Sequence, residues 1–263
     1  MARPHTVALV SSALLAGGAI ALAARVTITR QAAIARRRIG KPLGESALDA
    51  DRVWRSALEG DPVELLVLGD SIAAGLGAER RKDTLGARLA KGLGRRLRRP
   101  VRLRTAAVVG SESSALSAQL DALPADYRPD VAVIVVGGND VTHRVPVSVS
   151  VRHLTDAIHR VRSRGAQVVV GTCPDLGALR PVPQPLRALG SRLSRQLADA
   201  QAVAAEASGA RAVSLRKAVG HVFISHPDEM FSLDRFHPSA LGYRRTADAL
   251  LPSLVESLTA KTP

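Results

Sequence analysis

The chain has 263 residues, 46% of them hydrophobic and 23% charged, which suits one globular domain with a sizeable core plus appendages. Aromatic residues make up only 2%, so the core must be mostly Ala, Val and Leu, and a nucleic-acid surface built on ring stacking is disfavoured. The formal charge of +14 comes from arginines spread along the whole chain; it reads as solvated surface, with an anionic membrane surface or polyanion as the alternative partner, and no recognisable nucleic-acid module accompanies it.

The N-terminal stretch Val7 to Ala24 carries no charge and is rich in Ala, Leu, Val, Ile and Gly. As a helix it would extend about 27 Å, enough to cross a bilayer core. It reads as an apolar helix that is either a membrane anchor or a signal peptide, with Ala21-Leu22-Ala23 as a small-x-small cleavage pattern. Arg25, Arg30, Arg36, Arg37, Arg38 and Lys41 follow immediately. That flank favours the cytoplasmic side and conflicts with export, so the side of the membrane stays open. Residues 1–24 are therefore an anchor or signal, and residues 25–60 a basic linker. Gly40, Pro42 and Gly44 break this linker before a short amphipathic helix, capped by Ser46, that carries Leu48, Val53, Trp54 and Leu58.

From about residue 61 to 260, apolar runs alternate with helical patterns. Strands are predicted at Val63–Leu68, Val101–Val109, Val131–Val136, Gln167–Gly171 and Ala210–Leu215. Helices are predicted at Thr84–Arg98, Ser113–Leu123, Val149–Arg164, Leu186–Ser208 and Ser239–Leu258. The strand runs are almost continuously apolar, as expected when both faces are covered. The rhythm predicts an α/β domain with a mostly parallel, five-stranded sheet between helical layers. The densest basic cluster, Arg95 to Arg99, falls at the end of a predicted helix, where cations complement the dipole.

Chemistry-bearing residues sit where these strands end, the place where ligands bind in such sheets. Gly69-Asp70-Ser71 follows the first strand, and Ser71 is the candidate nucleophile. The competing role for Asp70 and Ser71 is helix capping. Gly110 follows the second strand and Asn139, in Gly137-Gly138-Asn139-Asp140, the third. With the Ser71 N–H, they are candidate donors to an oxyanion. Cys173, the single cysteine, follows the fourth strand; no intramolecular disulfide is possible and it reads as a small apolar filler. The segment Pro174 to Gly190 is a cleft wall or lid, or else a packed surface loop. Its Leu176, Leu179, Val182 and Leu186 could face an acyl chain, and Arg180 and Arg187 a carboxylate or lipid head group. Asp234-Arg235-Phe236-His237-Pro238 supplies a base, His237, with Asp234 close enough to orient it. His226 with Asp228 is the rival pair; His143 and His221 read as structural or exposed.

The order GDSIAAG, Gly110, GGND, DRFHPS resembles the SGNH (GDSL-type) hydrolase family over about Val63 to Leu258. The resemblance implies a flavodoxin-like three-layer fold, esterase, lipase or related acyl-hydrolase activity, an acyl-ester substrate and no metal or organic cofactor. By motif it makes Ser71 the nucleophile, Gly110 and Asn139 oxyanion donors, His237 the base and Asp234 its partner. The second block departs from the family pattern: Val108-Val109 stands where an asparagine often precedes the glycine, and the donor could shift to Ser111. The expectation is a serine esterase working through an acyl-enzyme. An acyltransferase with the same triad and a catalytically silent, membrane-tethered binding module are the alternatives, and oligomeric state is not readable.

Overall fold

The structure, a computed structural model, describes residues 4–260, with side chains from Leu22 onward. In chain order the elements are α1 (Pro4–Ile39), β1 (Val53–Trp54), β2 (Val63–Gly69), α2 (Ser71–Ala74), α3 (Leu85–Leu97), β3 (Val101–Thr105), α4 (Leu116–Asp121), β4 (Val131–Val135), α5 (Gly138–His143), α6 (Val147–Ser163), β5 (Gln167–Gly171), α7 (Leu186–Ala207), β6 (Arg211–Val213), α8 (Leu215–Ala218), α9 (Gly220–Ser225), α10 (Pro227–Met230) and α11 (Ala240–Thr259).

The sheet has six strands in the order β1-β3-β2-β4-β5-β6, one more than the five expected. The extra strand, β1, is antiparallel, with Val53 opposite Arg102 and Trp54 opposite Val101. It lies where the sequence predicts a short amphipathic helix, and that expectation is corrected. The segment is drawn to the sheet edge because Arg52 O accepts from Leu103 N (3.0 Å) and the Asp51 carboxylate accepts from Thr105 N (2.9 Å). The other five strands are parallel. The strand predicted to reach Val109 stops at Thr105, so Val108 to Ser111 belong to a loop.

The period-two alternation of the central strands divides the interior into two apolar layers. Val63, Leu65 and Val67 of β2 and Val131, Val133 and Val135 of β4 face α3 and α11. Leu66, Leu68, Ala132 and Ile134 face the layer of α4 and α6. Every one of these residues is buried. Small residues let the helices close in: a Cβ on Gly92 of α3 would lie 2.4 Å from Leu251 Cδ1 of α11. The chain crosses from β3 over β2 to β4, so the order reverses between β2 and β4 and a crevice opens beyond their C-terminal ends.

Helix α1 continues through Ile39. Its last turns dock on the start of α7 and the segment before it, where Gln31 Oε1 accepts from Leu186 N (2.9 Å) and Arg38 donates to Pro181 O (3.3 Å). The anchor or signal expected at Val7 to Ala24 falls almost wholly outside the residues whose side chains are described. Among the described residues, no helix is long and apolar enough to cross a membrane.

Candidate active site

Ser71 is held at the first position of α2 by the two residues before it. Gly69 ends β2 with φ +132°, and a Cβ there would stand 1.8 Å from Val135 O, so only glycine lets β2 and β4 run this close. Asp70 takes the capping role itself, its carboxylate accepting from Ile72 N at 2.9 Å. The Ser71 hydroxyl is thereby free for another partner.

That partner is His237, whose Nε2 lies 2.9 Å from Ser71 Oγ across 166 residues of sequence. On the far side of the ring, Nδ1 is 2.5 Å from Asp234 Oδ2. A carboxylate only accepts, so Nδ1 carries the proton and Nε2 presents its lone pair to the serine. Asp234 is 4% exposed. Its other oxygen accepts from Phe236 N (3.0 Å) and His237 N (2.9 Å). Burial alone would raise the Asp234 pKa; the hydrogen bond from the His237 ring and those from the two backbone amides outweigh it and hold the carboxyl below its ordinary value.

The loop that carries this pair is closed on itself. Ser232 N donates to His237 O (2.8 Å), Arg235 N to Ser232 O (2.8 Å) and Ser239 N to Met230 O (2.8 Å). Tyr243, fully buried in α11, donates its hydroxyl to Leu76 O at 2.6 Å and ties the helix behind His237 to the turn behind Ser71.

Asn139 lies in the first turn of α5, beside Ser71 in the lining of one cavity. Its Nδ2 donates to Ser111 O at 2.9 Å. That bond uses one of two amide hydrogens and fixes the plane of the carboxamide. Gly110 has φ +83° and is exposed in the loop after β3, outside the cavity lining. Among the described residues, neither Ser71 N–H nor Gly110 N–H meets an acceptor, whereas Ser111 N–H is taken by Val108 O at 3.2 Å. The Ser111 N–H, the alternative donor, is therefore already engaged.

Two supporting glutamines have no motif to mark them. Buried Gln119 of α4 accepts from Gly69 N (2.9 Å) and donates to Gly69 O (2.8 Å) and Ser111 Oγ (3.2 Å). Buried Gln201 of α7 accepts from Cys173 N (2.7 Å) and donates to Val136 O (3.0 Å), locking the ends of β4 and β5. Asp140 is buried and accepts from Ser113 N (3.0 Å) and Ser150 Oγ (2.6 Å). Asp70 is pushed up to about 6, mainly by burial, against the stabilising Ile72 N–H, the His237 charge and the Gly138 N–H. Burial likewise pushes the Cys173 thiol far up, which suits the packing role read from its sequence.

The cavity beside Ser71 measures about 70 Å³ and is walled largely by apolar side chains. The chain has three phenylalanines, and all of them, Phe223, Phe231 and Phe236, line it. Phe223 and Phe231 meet edge to face at 5.1 Å, and Phe236 packs on the His237 ring at 4.8 Å. Leu176 and Leu179 form the opposite wall, whereas Val182 packs against the core nearby and Leu186 is not in the lining. Arg180 donates to Ile224 O at 3.1 Å and so staples this wall to α9. The rival histidine lies elsewhere: His226 is exposed and pairs with Ser225 Oγ at 2.8 Å. His143 pairs with Glu112 at 2.7 Å. Among the described residues, no group of three or more His, Cys, Asp or Glu side chains is arranged to hold a metal.

A hydroxyl, an imidazole and a carboxylate in line, the Ser71 N–H and an oriented carboxamide next to an apolar cavity are parts acyl transfer requires. Comparison with known proteins agrees. Residues 67–245 match the GDSL-like lipase/acylhydrolase family. The chain is 39% identical over 273 aligned residues to the GDSL-like esterase Rv1075c of Mycobacterium tuberculosis, across 99% of this chain and 86% of that one. Among solved structures it is similar to TesA (26% identity, TM-score 0.59), covering 73% of this chain and 97% of TesA. It also shares its fold with the lipase Lip_vut3 from a goat rumen metagenome (18% identity, TM-score 0.60), over 73% of this chain and 97% of that one. A variant of Axe2, an acetyl-xylooligosaccharide esterase from Geobacillus, gives 20% identity and a TM-score of 0.58 over 74% of this chain and 95% of that one. The α/β sheet, the order of the motif segments and these likenesses together establish that this chain belongs to the GDSL-like lipase/acylhydrolase family of SGNH hydrolases.

Proposed function

We propose that the protein is a serine esterase that cleaves carboxylic esters through an acyl-enzyme on Ser71. The observation that carries this reading is the 2.9 Å approach of His237 Nε2 to Ser71 Oγ, backed by Asp234 at Nδ1. His237 takes the hydroxyl proton as Oγ attacks the ester carbonyl. Asp234 stays ionised and stabilises the imidazolium. The carbonyl oxygen becomes an oxyanion that receives the Ser71 N–H, the Gly110 N–H and the free Asn139 amide hydrogen. The C–O bond to the alcohol breaks, and His237 hands its proton to the departing oxygen. Water then loses a proton to His237 and attacks the acyl carbonyl. Collapse of that second intermediate frees the acid, and the proton returns to Ser71.

The apolar cavity accounts for the acyl side of the substrate. Its few polar walls favour a hydrocarbon chain over a charged group, because burying an unpaired charge costs several kcal/mol, of order 3–5 for a broken buried pair. Ser71→Ala tests the reading: hydrolysis of short p-nitrophenyl esters should vanish while the far-UV circular dichroism spectrum is unchanged. Turnover retained in that variant would remove Ser71 from its role.

The apolar run Val7 to Ala24 supports attachment of the domain to a membrane or its export. Fractionation of cells, followed by protease treatment of intact cells, tests this. Release of the full-length protein with the soluble fraction would reject attachment.

A further inference from the structure

Among the buried polar side chains that the reading of the site as an esterase leaves unused, Gln119 pairs with the strand end that presents Ser71. Gln119 belongs to α4, is 4% exposed, and satisfies its amide entirely on backbone and side-chain atoms of the site. Its Oε1 accepts from Gly69 N at 2.9 Å and its Nε2 donates to Gly69 O at 2.8 Å. The amide thus pairs with the last residue of β2 as a neighbouring strand would, and it does so directly before Asp70 and Ser71. The same Nε2 reaches Ser111 Oγ at 3.2 Å. Ser111 O in turn accepts from Asn139 Nδ2 at 2.9 Å.

These four bonds form one connected path from the strand end that presents Ser71 to the carboxamide offered to the oxyanion. Parallel strands β2 and β4 bring Gly69 and Asn139 near each other, and the loop of residues 106–112 leaves β2 after Ala106 N donates to Val67 O (2.9 Å) and Val108 N to Gly69 O (3.1 Å). Beyond Val108, Gln119 adds the side-chain link that joins Gly69 to Ser111. A network of this kind in a low-dielectric interior holds its members more tightly than separate pairs would. Oxyanion donors lose much of their effect when displaced by a fraction of an ångström.

We infer that Gln119 is a positioning residue that sets the Asn139 carboxamide relative to Ser71 through Ser111. It touches no substrate; it fixes the geometry in which the transition state is met. This inference rests on the esterase reading, in which Asn139 faces the oxyanion.

A double-mutant cycle on the full-length protein tests it. The wild type is first treated with a fluorophosphonate; failure to form an adduct would reject the esterase reading itself, independently of any effect at Gln119. With wild type reactive, Gln119→Met, which keeps length and removes the amide, should lower kcat for p-nitrophenyl acetate by about ten- to a hundred-fold and leave KM within about two-fold. In an Asn139→Ala background the same substitution should lower kcat by no more than about two-fold, because the group it positions is gone. Ser111→Ala, which removes only the Oγ arm and leaves the carbonyl, should lower kcat by a smaller factor and show the same dependence on Asn139. An equal fold-loss in both backgrounds would overturn the inference, as would unchanged kcat in folded Gln119→Met. Should Gln119→Met fail to fold, Ser111→Ala decides: unchanged kcat, or a loss independent of Asn139, overturns it.

Discussion

Gly77 and His237 are in direct apposition: a Cβ on Gly77 would lie 3.1 Å from His237 Cβ and 2.6 Å from Pro238 O, and Gly77 sits at φ +103°. The turn behind the serine is therefore the seat on which the histidine loop rests. Alanine at this position has neither the space nor the backbone conformation it needs. Gly77→Ala should displace the loop and lower kcat by more than about ten-fold. Thermal denaturation and steady-state kinetics on the same preparation check this, since the loss of activity should exceed what the loss of folded protein explains.

Asp234 has two tasks, orienting His237 and capping the amides of Phe236 and His237. Asp234→Asn retains an oxygen but can offer an N–H where Nδ1–H now donates, which favours the wrong tautomer. A loss of about 10³–10⁴ in kcat is expected. Asp234→Ala should in addition cost about 1–3 kcal/mol of stability through the unsatisfied amides. Urea denaturation of the two variants separates the tasks.

Asp70 gives a pH signature. Its carboxyl is pushed up to about 6 in the folded protein from an ordinary 3.8, chiefly by burial. A raised acid favours folding most below the unfolded value, and that contribution is lost as pH climbs through the folded one. Asp70→Asn removes this dependence. The stability difference between the variant and the wild type should therefore move in the variant's favour between about pH 4 and 6 and level off above. Chemical denaturation midpoints across that range measure it; a constant difference would contradict the assignment.

Much of this architecture is legible in the chain, and the reasons differ by element. The central strands announce themselves because both faces are buried, so Val131 to Val135 is an unbroken apolar run. The capping Asp70, Ser71 and the Asp234–His237 pair are legible because they are close in sequence to a strand end or to each other. β1 is hidden because two residues at an edge carry no periodicity, and its pairing depends on Asp51 meeting Thr105. Gln119 and Gln201 are hidden for another reason. Each acts through backbone atoms of residues 28 to 65 positions away, and a glutamine within a helix has no local sign of that.

In the proposed esterase reading, the phenylalanine wall sets which acyl chains fit. Phe231 is half-buried and Phe223 buried, and both line the cavity. Phe231→Ala should extend the cavity and shift preference toward longer acyl chains, with KM for p-nitrophenyl octanoate falling relative to acetate. Ser71 and His237 remain in place in this variant, so kcat for acetate should change little. A parallel loss of activity on all chain lengths would place the acyl chain elsewhere.

The identity of the nucleophile is tested most directly by mass spectrometry after reaction with a fluorophosphonate. One adduct per chain is predicted, on the peptide that contains Ser71, and it should disappear in His237→Gln, where no base is left to activate the hydroxyl. Absence of any adduct in the wild type, or an adduct on a different serine that persists without His237, would contradict the account.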